Sequence, residues 1–557
     1  MVAFGIDFGT TNSVLASVSG GEVSTVALDE PPQEWAELGF GKVLPTVIAQ
    51  NGDSIDFGWS AKRNPKRLDA VKRLFASEDE VLVGSRTMKV EEAAAIFFRQ
   101  ISTKATEAGL DLDSAVVTIP ANSRGVARFR TKISAGLSGI EVLALLNEPT
   151  AAAMAYARHI EDDQRVLVFD FGGGTLDVTI LRSIEGVFVE EASKGVGRLG
   201  GIDIDRAFAE AVKRRVPAGS SIDASDLERA KVLLSTQETV PMSLVGGGPF
   251  EVNRIELETA IQPLLQQCAH PVLRCINDLG SPRIDHLLLV GGSSKIPAVQ
   301  RQISQLVGLD PTGDVDPMTA VAEGAALSAG ILSGDVVDFD FFVATEHALG
   351  TIVTDPTTDQ QRFSVLIPRN TKLPASATDG YSPIHDNQES VIIRVIEGDP
   401  EHPVTHEDNV VLKEWDVDIS PPRPADEAGF RVTYSYDVDG ILNVRVVDSE
   451  TEAVRLDEQL SFGVARSKAD LVEIRKRIDS MSVGSAPSNG TSAGPRLDDV
   501  SMDVINRART KIMPFLDEAE VAQFEALIES LEGSAPEARD EPRAALQKAI
   551  RGHAYLL

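Results

Sequence analysis

The sequence predicts a large α/β domain built by duplication, followed by a β domain and a small helical tail. Between residues 1 and about 332, short apolar strand patterns alternate with helical patterns, which is typical of α/β layers. The tripeptide Asp-Phe-Gly occurs twice in this part, at residues 7–9 and 170–172, each time between two apolar strand patterns. Strand patterns dominate residues 349–462, and apolar residues at helical spacing follow the Ser- and Gly-rich segment 482–495.

The second Asp-Phe-Gly turn has the clearest chemical meaning. Val166–Phe169 has the composition of a buried strand, and Val178–Ile180 that of its antiparallel partner. The run Gly172–Gly174 permits positive φ angles and a close backbone approach, and consecutive N–H groups in such a turn bind anions. The carboxylate of Asp170 at the strand end suits a hard, hydrated Mg²⁺. The turn is therefore predicted to hold the phosphates of a magnesium nucleotide.

A second copy strengthens this interpretation. The segment Ala3–Ala16 repeats the order of apolar strand, Asp-Phe-Gly, threonine and apolar strand. One such turn alone is equally compatible with a structural hairpin. Two turns in a chain of alternating strands and helices favour a duplicated domain in which both turns hold the same phosphates.

The composition is that of a globular protein and argues against nucleic acid as its main partner. The 557 residues exceed what one core usually supports, so about two to four domains are expected. The formal net charge is −31, whereas phosphate neutralisation needs a basic surface. The only cysteines, Cys268 and Cys275, exclude a disulfide framework and are expected to be buried apolar thiols. No leader precedes Asp7 and no apolar run of about 18 residues occurs, so we expect a cytoplasmic protein without a membrane partner.

The patterns also predict the positions of individual elements. Predicted helices are Glu91–Ala108, Arg124–Leu137, Glu148–Ile160, Ser225–Glu238 and Ser467–Ser480. Predicted strands are Ala115–Ile119, His286–Val290, Ser364–Ile367, Ser390–Glu397, Phe430–Asp437 and Ile441–Asp448. Asp437–Gly440 resembles part of a calcium loop, but the other ligands are missing and a tight hairpin turn is favoured.

The sequence does not support two other kinds of nucleotide-binding site. Gly195–Gly200 fits G-x-G-x-x-G, but it lies late in the chain and behind another phosphate turn, so dinucleotide binding is disfavoured. The P-loop pattern G-x-x-x-x-G-K-[ST] does not occur in the sequence.

Four motifs in the same order resemble the seventy-kilodalton heat-shock chaperone family of the bacterial DnaK type. They are Gly5–Ser13, Asn147–Ala153, Asp170–Asp177 and Leu289–Pro297. The resemblance implies an actin-like ATPase domain of two lobes with a ribonuclease-H-like duplication, then a β-sandwich that grips extended peptide and a helical lid. The implied domains are residues 1–334 (ATPase), 335–348 (linker), 349–465 (β-sandwich) and 466–557 (lid, with flexible segment 482–495).

The resemblance also implies which residues bind ATP or ADP with Mg²⁺. Asp7 and Asp170 would place the hydrated metal. The implied nucleotide contacts are Gly9, Thr10, Thr11, Gly172, Gly173, Gly174, Thr175, Gly200, Gly201, Glu228, Lys231, Gly291, Gly292, Ser293 and Lys295. For Glu228 a capping box at Ser225–Glu228 is a structural alternative. Lys295 stands where the family commonly has an adenine-stacking arginine, so nucleotide affinity is expected to be lower.

The hydrolytic roles follow from the same resemblance. Lys72 would orient the attacking water, and Glu148 would order the water shell of the metal. Asp177 is the candidate proton acceptor, with Asp170 and Thr175 completing the catalytic set. Phosphoryl transfer depends mainly on positioning and charge neutralisation rather than on a strong base.

The peptide-binding side matches the family less closely. Tyr381, Ile384, Val391 and Ile393 would line an apolar peptide slot that grips backbone by strand-like hydrogen bonds. An alternative is that Val391 and Ile393 belong to ordinary sandwich core. Ile384 replaces a smaller residue, which would narrow the slot.

The residues that link nucleotide to partner proteins are only partly present. Pro120 and Arg128 match the family's relay between nucleotide and linker. Ala144 and Val343 replace the arginine and aspartate expected for J-domain docking, so weak stimulation by a J-domain co-chaperone is expected. The second lobe is predicted to be trimmed between Ile204 and the helix of Glu228, which puts a nucleotide exchange factor in doubt.

The favoured hypothesis is an ATP-dependent chaperone for unfolded or extended polypeptide. One alternative is a regulatory client-binding protein with slow or absent turnover. A less favoured one is an actin-like kinase or filament protein, because such proteins share the paired phosphate turns.

Overall fold

Two compact units make up the chain in a computed structural model. Unit one comprises Met1–Pro120, Arg130–Phe339 and Ala465–Leu557, and unit two comprises Ala121–Phe129 and Asp340–Val464. The residues that the structure describes are 2–52, 54–75, 77–121, 123, 125–313, 316–336, 345, 347–355, 358–369, 371–406, 409–436, 441–460, 468–481, 501, 504–505, 507–516, 518–532, 534 and 539–553. Val343, the flexible segment 482–495 and the turn Asp437–Gly440 lie outside them.

The first large sheet of unit one is built around the strand Ala3–Phe8. This strand pairs antiparallel with Asn12–Ser19, and Gly9–Thr11 forms the turn between them. It pairs parallel with Ser114–Ile119 on its other side. In order across the sheet the strands are Glu141–Asn147, Ser114–Ile119, Ala3–Phe8, Asn12–Ser19 and Glu22–Val26, with Leu44–Pro45 paired to Asn12–Ser19.

The second large sheet repeats this arrangement around the strand Arg165–Phe171. That strand pairs antiparallel with Leu176–Ile184 across the glycine turn and parallel with His286–Val290. Val187–Val196 completes the sheet next to Leu176–Ile184. The predicted strands around both Asp-Phe-Gly turns are confirmed, and each turn joins an antiparallel pair within its own sheet.

Smaller sheets and helices complete unit one. The remaining strands are Val47–Asn51, Ser54–Phe57, Leu68–Asp69, Glu80–Val83, Arg86–Lys89, Ser221–Ile222, Thr239–Val245 and Pro249–Asn253. The helices before the tail are Gln33–Ala36, Phe40–Lys42, Gly58–Lys62, Val71–Leu74, Val90–Glu107, Gly125–Ser138, Glu148–Ala155, Ala157–His159, Gly201–Lys213, Ala224–Leu233, Arg254–Ala260, Gln262–Asp278, Gly292–Lys295, Pro297–Val307 and Ala320–Leu332.

Small residues allow the helix Ala320–Leu332 to approach the first sheet and the helix Glu148–Ala155. A Cβ atom on Gly5 would lie 2.1 Å from the backbone N of Ala326, and one on Gly324 would lie 1.7 Å from the carbonyl O of Ala151. Only glycine permits such backbone approaches. These contacts fix the end of Ala3–Phe8 relative to the start of Glu148–Ala155, and both carry predicted site residues.

Unit two contains two antiparallel four-stranded sheets with one shared hydrophobic core. The core includes Ile393 from one sheet and Phe430 and Tyr434 from the other. The strands of one sheet, in order, are Gln361–Ile367, Ala348–Thr354, Ser390–Gly398 and Val410–Asp418, and those of the other are Ala375–Tyr381, Phe430–Tyr436, Leu442–Asp448 and Val454–Gln459. The predicted strands of this part are confirmed within a few residues.

The tail contributes helices Lys468–Met481, Glu518–Glu532 and Asp540–Gly552, with shorter turns at Ala508–Ile512 and Met513–Phe515. Its apolar stripes are buried as predicted at Val504, Ala508, Ile512, Phe524, Ile528 and Leu531. The tail packs within unit one, where Arg477 pairs with Glu92 at 3.0 Å and Arg551 with Asp113 at 2.8 Å.

Two smaller predictions can be compared with the fold directly. Cys268 and Cys275 are buried free thiols on the helix Gln262–Asp278, as predicted, and burial raises the pKa of Cys268 to about 12. The helix predicted at Ser225–Glu238 is shorter and spans Ala224–Leu233.

Among the described residues, no helix combines the length and the apolar character needed to cross a membrane.

Candidate functional site

The two Asp-Phe-Gly turns face each other across one cleft. A Cβ atom on Gly173 would lie 1.6 Å from the Thr11 hydroxyl oxygen, and one on Gly174 would lie 2.7 Å from the Thr10 hydroxyl oxygen. The threonines of the first turn therefore contact the glycines of the second, and a larger residue at either glycine would force the turns apart. The cleft between the turns has a cavity volume of about 80 Å³. Its lining residues are Asp7, Gly9, Thr10, Thr11, Asn12, Val14, Glu148, Asp170, Gly172, Gly173, Gly174, Thr175, Val290, Gly291, Gly292, Pro317, Met318 and Val321.

Three carboxylates meet at the base of this cleft. Asp7 is the last but one residue of the strand Ala3–Phe8 and accepts a hydrogen bond from the Thr118 hydroxyl at 2.9 Å. Burial and the nearby charge of Glu148 raise the pKa of Asp7 to about 7. Burial, Glu148, Asp177 and Asp7 raise the pKa of Asp170 well above its ordinary value. Closely spaced buried carboxylates repel one another, so the site favours a cation.

Lys72 is the cation closest to these acids. Its ammonium lies 2.6 Å from Glu148 Oε1 and donates to the carbonyl of Phe8. Glu148 is the first residue of the helix Glu148–Ala155, and the side chains of Lys72 and Glu148 are only 7% and 10% exposed. Asp177 lies opposite Asp170 in the antiparallel register and is buried. The predicted catalytic residues therefore lie at one end of the cleft.

Two further loops hold the second turn in place. Gly201 N donates to Gly172 O at 3.0 Å, and Ile202 N donates to Gly173 O at 2.9 Å. The Ser293 hydroxyl donates to Gly172 O at 2.8 Å. The carbonyls of Gly172 and Gly173 thus accept from neighbouring loops, and Gly172 N donates to Thr175 O at 3.2 Å within the turn. The N–H groups of Gly173, Gly174 and Thr175 are the candidate donors to an anion.

Glu228 makes a contact that the sequence did not indicate. Its carboxylate pairs with Lys62 at 2.9 Å. The capping-box alternative is wrong, because Asp223 is the N-cap of this helix and its side chain accepts from Ser225 N and Asp226 N. Once Asp223 caps the helix, the Glu228 side chain is free to reach the first part of the unit.

The remaining predicted nucleotide contacts lie at the rim. Lys231 pairs with Asp205 at 2.7 Å and contacts the carbonyl of Gly201 at 3.5 Å. Lys295 pairs with Asp316 at 3.0 Å, and its side chain is 42% exposed. Lys295 is therefore accessible at the end of the loop Gly292–Lys295.

The coupling and peptide residues lie elsewhere in the chain. Pro120 directly follows the strand Ser114–Ile119, and Arg128 is buried and donates to Ser123 O at 3.2 Å. In unit two, the Tyr381 hydroxyl lies 3.3 Å from the Ser364 hydroxyl and Ile384 is 46% exposed. Val391 is half-buried, and Ile393 belongs to the shared core. The core alternative therefore fits Ile393, while Ile384 has the exposure that a peptide contact requires.

Sequence reasoning missed two basic residues at this site. Lys62 pairs with Glu228, and Arg73 pairs with Asp203 at 3.1 Å and donates to the carbonyl of Gly174. The only sequence signal for Arg73 is its position next to Lys72. Lys62 is the last residue of the helix Gly58–Lys62 and is followed by Arg63, Lys66 and Arg67, so no sequence signal distinguishes it from its basic neighbours.

The residues fit a magnesium nucleotide by their donor chemistry. The Thr11 hydroxyl and the Asn12 amide oxygen are buried without a hydrogen-bond partner among the described residues, and both residues line the cleft together with the glycine turn. In the described part of the chain, no group of three or more His, Cys, Asp or Glu side chains is arranged to bind a metal directly. The predicted magnesium was expected to be held through water, for which Asp7 and Asp170 remain suitably placed.

Comparison with known proteins identifies the family. The family model described as Hsp70 protein matches residues 66–551. A curated relative, the chaperone protein DnaK of Methanothermobacter thermautotrophicus, is 33% identical over 506 residues, which cover 85% of this chain and 82% of that relative. The match to the family model includes the second phosphate turn, unit two and most of the tail. The chain belongs to the Hsp70 family of ATP-dependent molecular chaperones.

Proposed function

We propose that this protein binds and hydrolyses Mg-ATP in the cleft of unit one and thereby switches the affinity of unit two for extended apolar peptide segments. The observation that carries the proposal is the convergence of both phosphate turns, with Asp7 and Asp170, on one cleft. A nucleotide needs only a few kcal/mol of differential affinity for two arrangements to shift their populations decisively.

The nucleotide contacts divide between phosphates and nucleoside. Thr10, Thr11 and the turn Gly172–Thr175 would hold the β- and γ-phosphates with hydroxyl and backbone N–H donors. Gly9, Gly200, Gly201, Gly291, Gly292 and Ser293 would keep the surrounding loops close to the phosphates. Glu228, Lys231 and Lys295 would contact the adenosine. Mg²⁺, held through water by Asp7 and Asp170, neutralises phosphate charge when bound and relieves the repulsion between these buried acids.

The hydrolytic roles rest on the contacts of Lys72 and Glu148. The Lys72 ammonium is fixed by Glu148 and the carbonyl of Phe8, so it would orient a water near the terminal phosphate without large motion. Glu148 would order the water around the metal, and buried Asp177 would accept the proton. A fixed arrangement of this kind lowers the barrier mainly through electrostatic stabilisation.

Peptide binding is assigned to unit two on a narrower basis. Val391 and Ile393 alternate with Ile392, which is 52% exposed, so the first two share the inward face of their strand. Tyr381 ends a strand of the other sheet of unit two, and Ile384 lies in the loop after that strand. Tyr381, Ile384 and the half-buried Val391 would contact one apolar side chain of the peptide, with Ile384 as the exposed wall. Ile393 would support them from the shared core.

The partners proposed for this chain are unfolded polypeptide and, with weak coupling, a J-domain co-chaperone. Ala144 is buried in the strand Glu141–Asn147, so it offers a J-domain no charged contact. Use of an exchange factor, a cytoplasmic location and the lack of nucleic-acid or membrane partners stay predictions. The alternatives of a non-hydrolysing regulator and of an actin-like kinase or filament protein are not favoured, since the family match includes unit two.

Single-turnover hydrolysis tests the proposal. Pre-bound ATP should be hydrolysed faster in the presence of an apolar peptide, and ATP should accelerate release of the same labelled peptide. The variant Thr175→Val should lose both effects, whereas Arg283→Gln, at a side chain that is 88% exposed, should keep them. The coupled cycle would be refuted if peptide did not change the hydrolysis rate and ATP did not change the rate of peptide release.

A further inference from the structure

Arg73 occupies a position between the two phosphate turns. It lies in the short helix Val71–Leu74, next to Lys72. Whereas Lys72 contacts Phe8 and Glu148, the Arg73 guanidinium reaches the carbonyl of Gly174 and the carboxylate of Asp203. The two neighbouring cations thus contact different residues around the same cleft.

The Nε–H group of Arg73 lacks an acceptor. Its nitrogen is buried and has no hydrogen-bond partner among the described residues. A Cβ atom on Gly174 would lie 2.8 Å from this nitrogen and 2.7 Å from the Thr10 hydroxyl oxygen. The unused donor therefore lies beside Gly174, where both turns meet. A buried guanidinium donor without an acceptor is unfavourable, so an anionic oxygen arriving here would be stabilised.

The ionisable side chains that line the cleft are acidic. The lining residues include Asp7, Glu148 and Asp170 but neither lysine nor arginine. Lys72 is already paired with Glu148. The charge of Arg73 is balanced from the far side by Asp203, which keeps the guanidinium at the rim of the turn. Arg73 thus still has a buried donor to offer a triphosphate bound beside Gly174.

We propose that Arg73 is a further phosphate-binding residue that contacts the terminal phosphate of ATP, an inference that rests on ATP binding in this cleft. Asp203 is its positioning residue, because it holds the guanidinium and also accepts from Gly200 N at 3.0 Å. Arginine suits this task because its planar donors match phosphate oxygens and its charge is permanent. The contact exists with ATP and is lost with ADP, so Arg73 distinguishes the two nucleotides.

The test compares nucleotide selectivity in Arg73→Gln, Arg73→Lys and the control Arg283→Gln. Displacement of a fluorescent nucleotide gives the affinities for ATP, for ADP and for ADP with beryllium fluoride, a mimic of the terminal phosphoryl group. Arg73→Gln should weaken ATP and the mimic roughly ten- to hundredfold while ADP changes less than about threefold. Single-turnover hydrolysis should fall roughly 10²- to 10³-fold. Arg73→Lys keeps the positive charge but lacks the planar guanidinium donors. Its ratio of ATP affinity to ADP affinity should therefore lie between those of the wild type and Arg73→Gln.

Equal losses of ATP and ADP affinity would overturn the proposal, because a merely structural arginine would weaken both nucleotides alike. The proposal would also be overturned if Arg73→Gln and Arg73→Lys both kept the wild-type ratio of ATP affinity to ADP affinity. If Arg73→Gln fails to fold, the ratio measured for Arg73→Lys decides alone. Failure of the wild-type protein to bind ATP or ADP would instead contradict the proposed function. This result differs from failure of the Arg73 proposal, because it is obtained with the wild-type protein and needs no variant.

Discussion

Lys62 and Glu228 form an ion pair at 2.9 Å although 166 positions separate them in the sequence. The Lys62 ammonium also lies 4.8 Å from the ring centre of Trp35 and 5.5 Å from that of Trp59. Burial raises the pKa of Glu228, but the charges of Lys62, Lys231 and Arg67 and the hydrogen bond from Lys62 together outweigh burial and hold this pKa below its ordinary value. The pair therefore ties the helix Gly58–Lys62 to the helix that carries a proposed adenosine contact.

Removing this pair should destabilise unit one. Lys62→Met would leave Glu228 buried without its cation, which costs about 3 kcal/mol and should lower the melting temperature by several degrees. The control is Lys104→Met, whose pair with Glu107 lies at the surface and is worth less than about 1 kcal/mol. Calorimetry of both variants without nucleotide measures the difference. Equal melting temperatures would mean that the Lys62–Glu228 pair contributes no more than an exposed one.

Asp7→Asn should raise the stability of the nucleotide-free protein and weaken its binding of Mg-ATP. The substitution removes one charge from a cluster of buried carboxylates, so the nucleotide-free protein should melt at a higher temperature than the wild type. The same variant should bind Mg-ATP roughly ten- to hundredfold more weakly, because the metal loses an anionic partner. Asp310→Asn, an exposed acid, serves as the control for charge alone. A variant less stable than the wild type would show that Asp7 holds the cleft together rather than straining it.

Asp448 should be a major electrostatic anchor of unit two. Its side chain is fully buried and pairs with Arg423 at 2.6 Å and Arg455 at 3.0 Å. Burial raises its pKa, but the hydrogen bonds from Arg423, Thr451, Arg455 and Glu450 outweigh burial and hold the pKa below the ordinary 3.8. Asp448→Asn should therefore cost about 3 kcal/mol at pH 7.

The pH dependence of this contribution has a definite sign. Because the folded-state pKa lies below the unfolded value, the stabilisation is fully present above about pH 4 and is lost as the pH falls through the folded value. The stability gap between wild type and Asp448→Asn should thus be constant from pH 7 to pH 5 and shrink below pH 4. Calorimetry across this range measures it. A gap that narrows already between pH 7 and pH 5 would assign the effect to another group.

Neighbouring residues of one strand provide a matched test of the peptide slot. Val391 is half-buried on the inward face, and Ile392 is 52% exposed on the outward face. Val391→Thr keeps the shape and adds a hydroxyl, so affinity for an apolar peptide should fall about three- to tenfold. Ile392→Thr should leave it unchanged. Fluorescence anisotropy of a labelled peptide gives both affinities, and a larger loss from Ile392→Thr would place the slot on the other face of the sheet.

The sequence was most informative where the chemistry is local. The strand patterns and glycines around Asp7 and Asp170 predicted both turns, since turn geometry depends on residues adjacent in sequence. The strands of unit two followed from alternating apolar residues in the same way. The assembly of the two phosphate turns into one cleft was implied by duplication and by family resemblance, and not by any local pattern.

Contacts between distant residues could not be predicted from the sequence. Arg73 lies 101 positions from Gly174, and no pattern around either residue signals their contact. The helix start near Ser225 satisfied a capping-box pattern, yet Asp223 provides the cap in the structure. Both Asp223 and Ser225 are acceptable caps by propensity, so the choice depends on where the preceding strand Ser221–Ile222 ends.

A crystal structure with Mn²⁺ and a non-hydrolysable ATP analogue tests the central claim most directly, because the anomalous signal of manganese locates the metal. The account predicts one manganese between the Asp7 and Asp170 carboxylates, with the phosphates between Thr10–Thr11 and Gly172–Thr175. Manganese and phosphates bound to only one of the two turns, or outside the cleft, would contradict it.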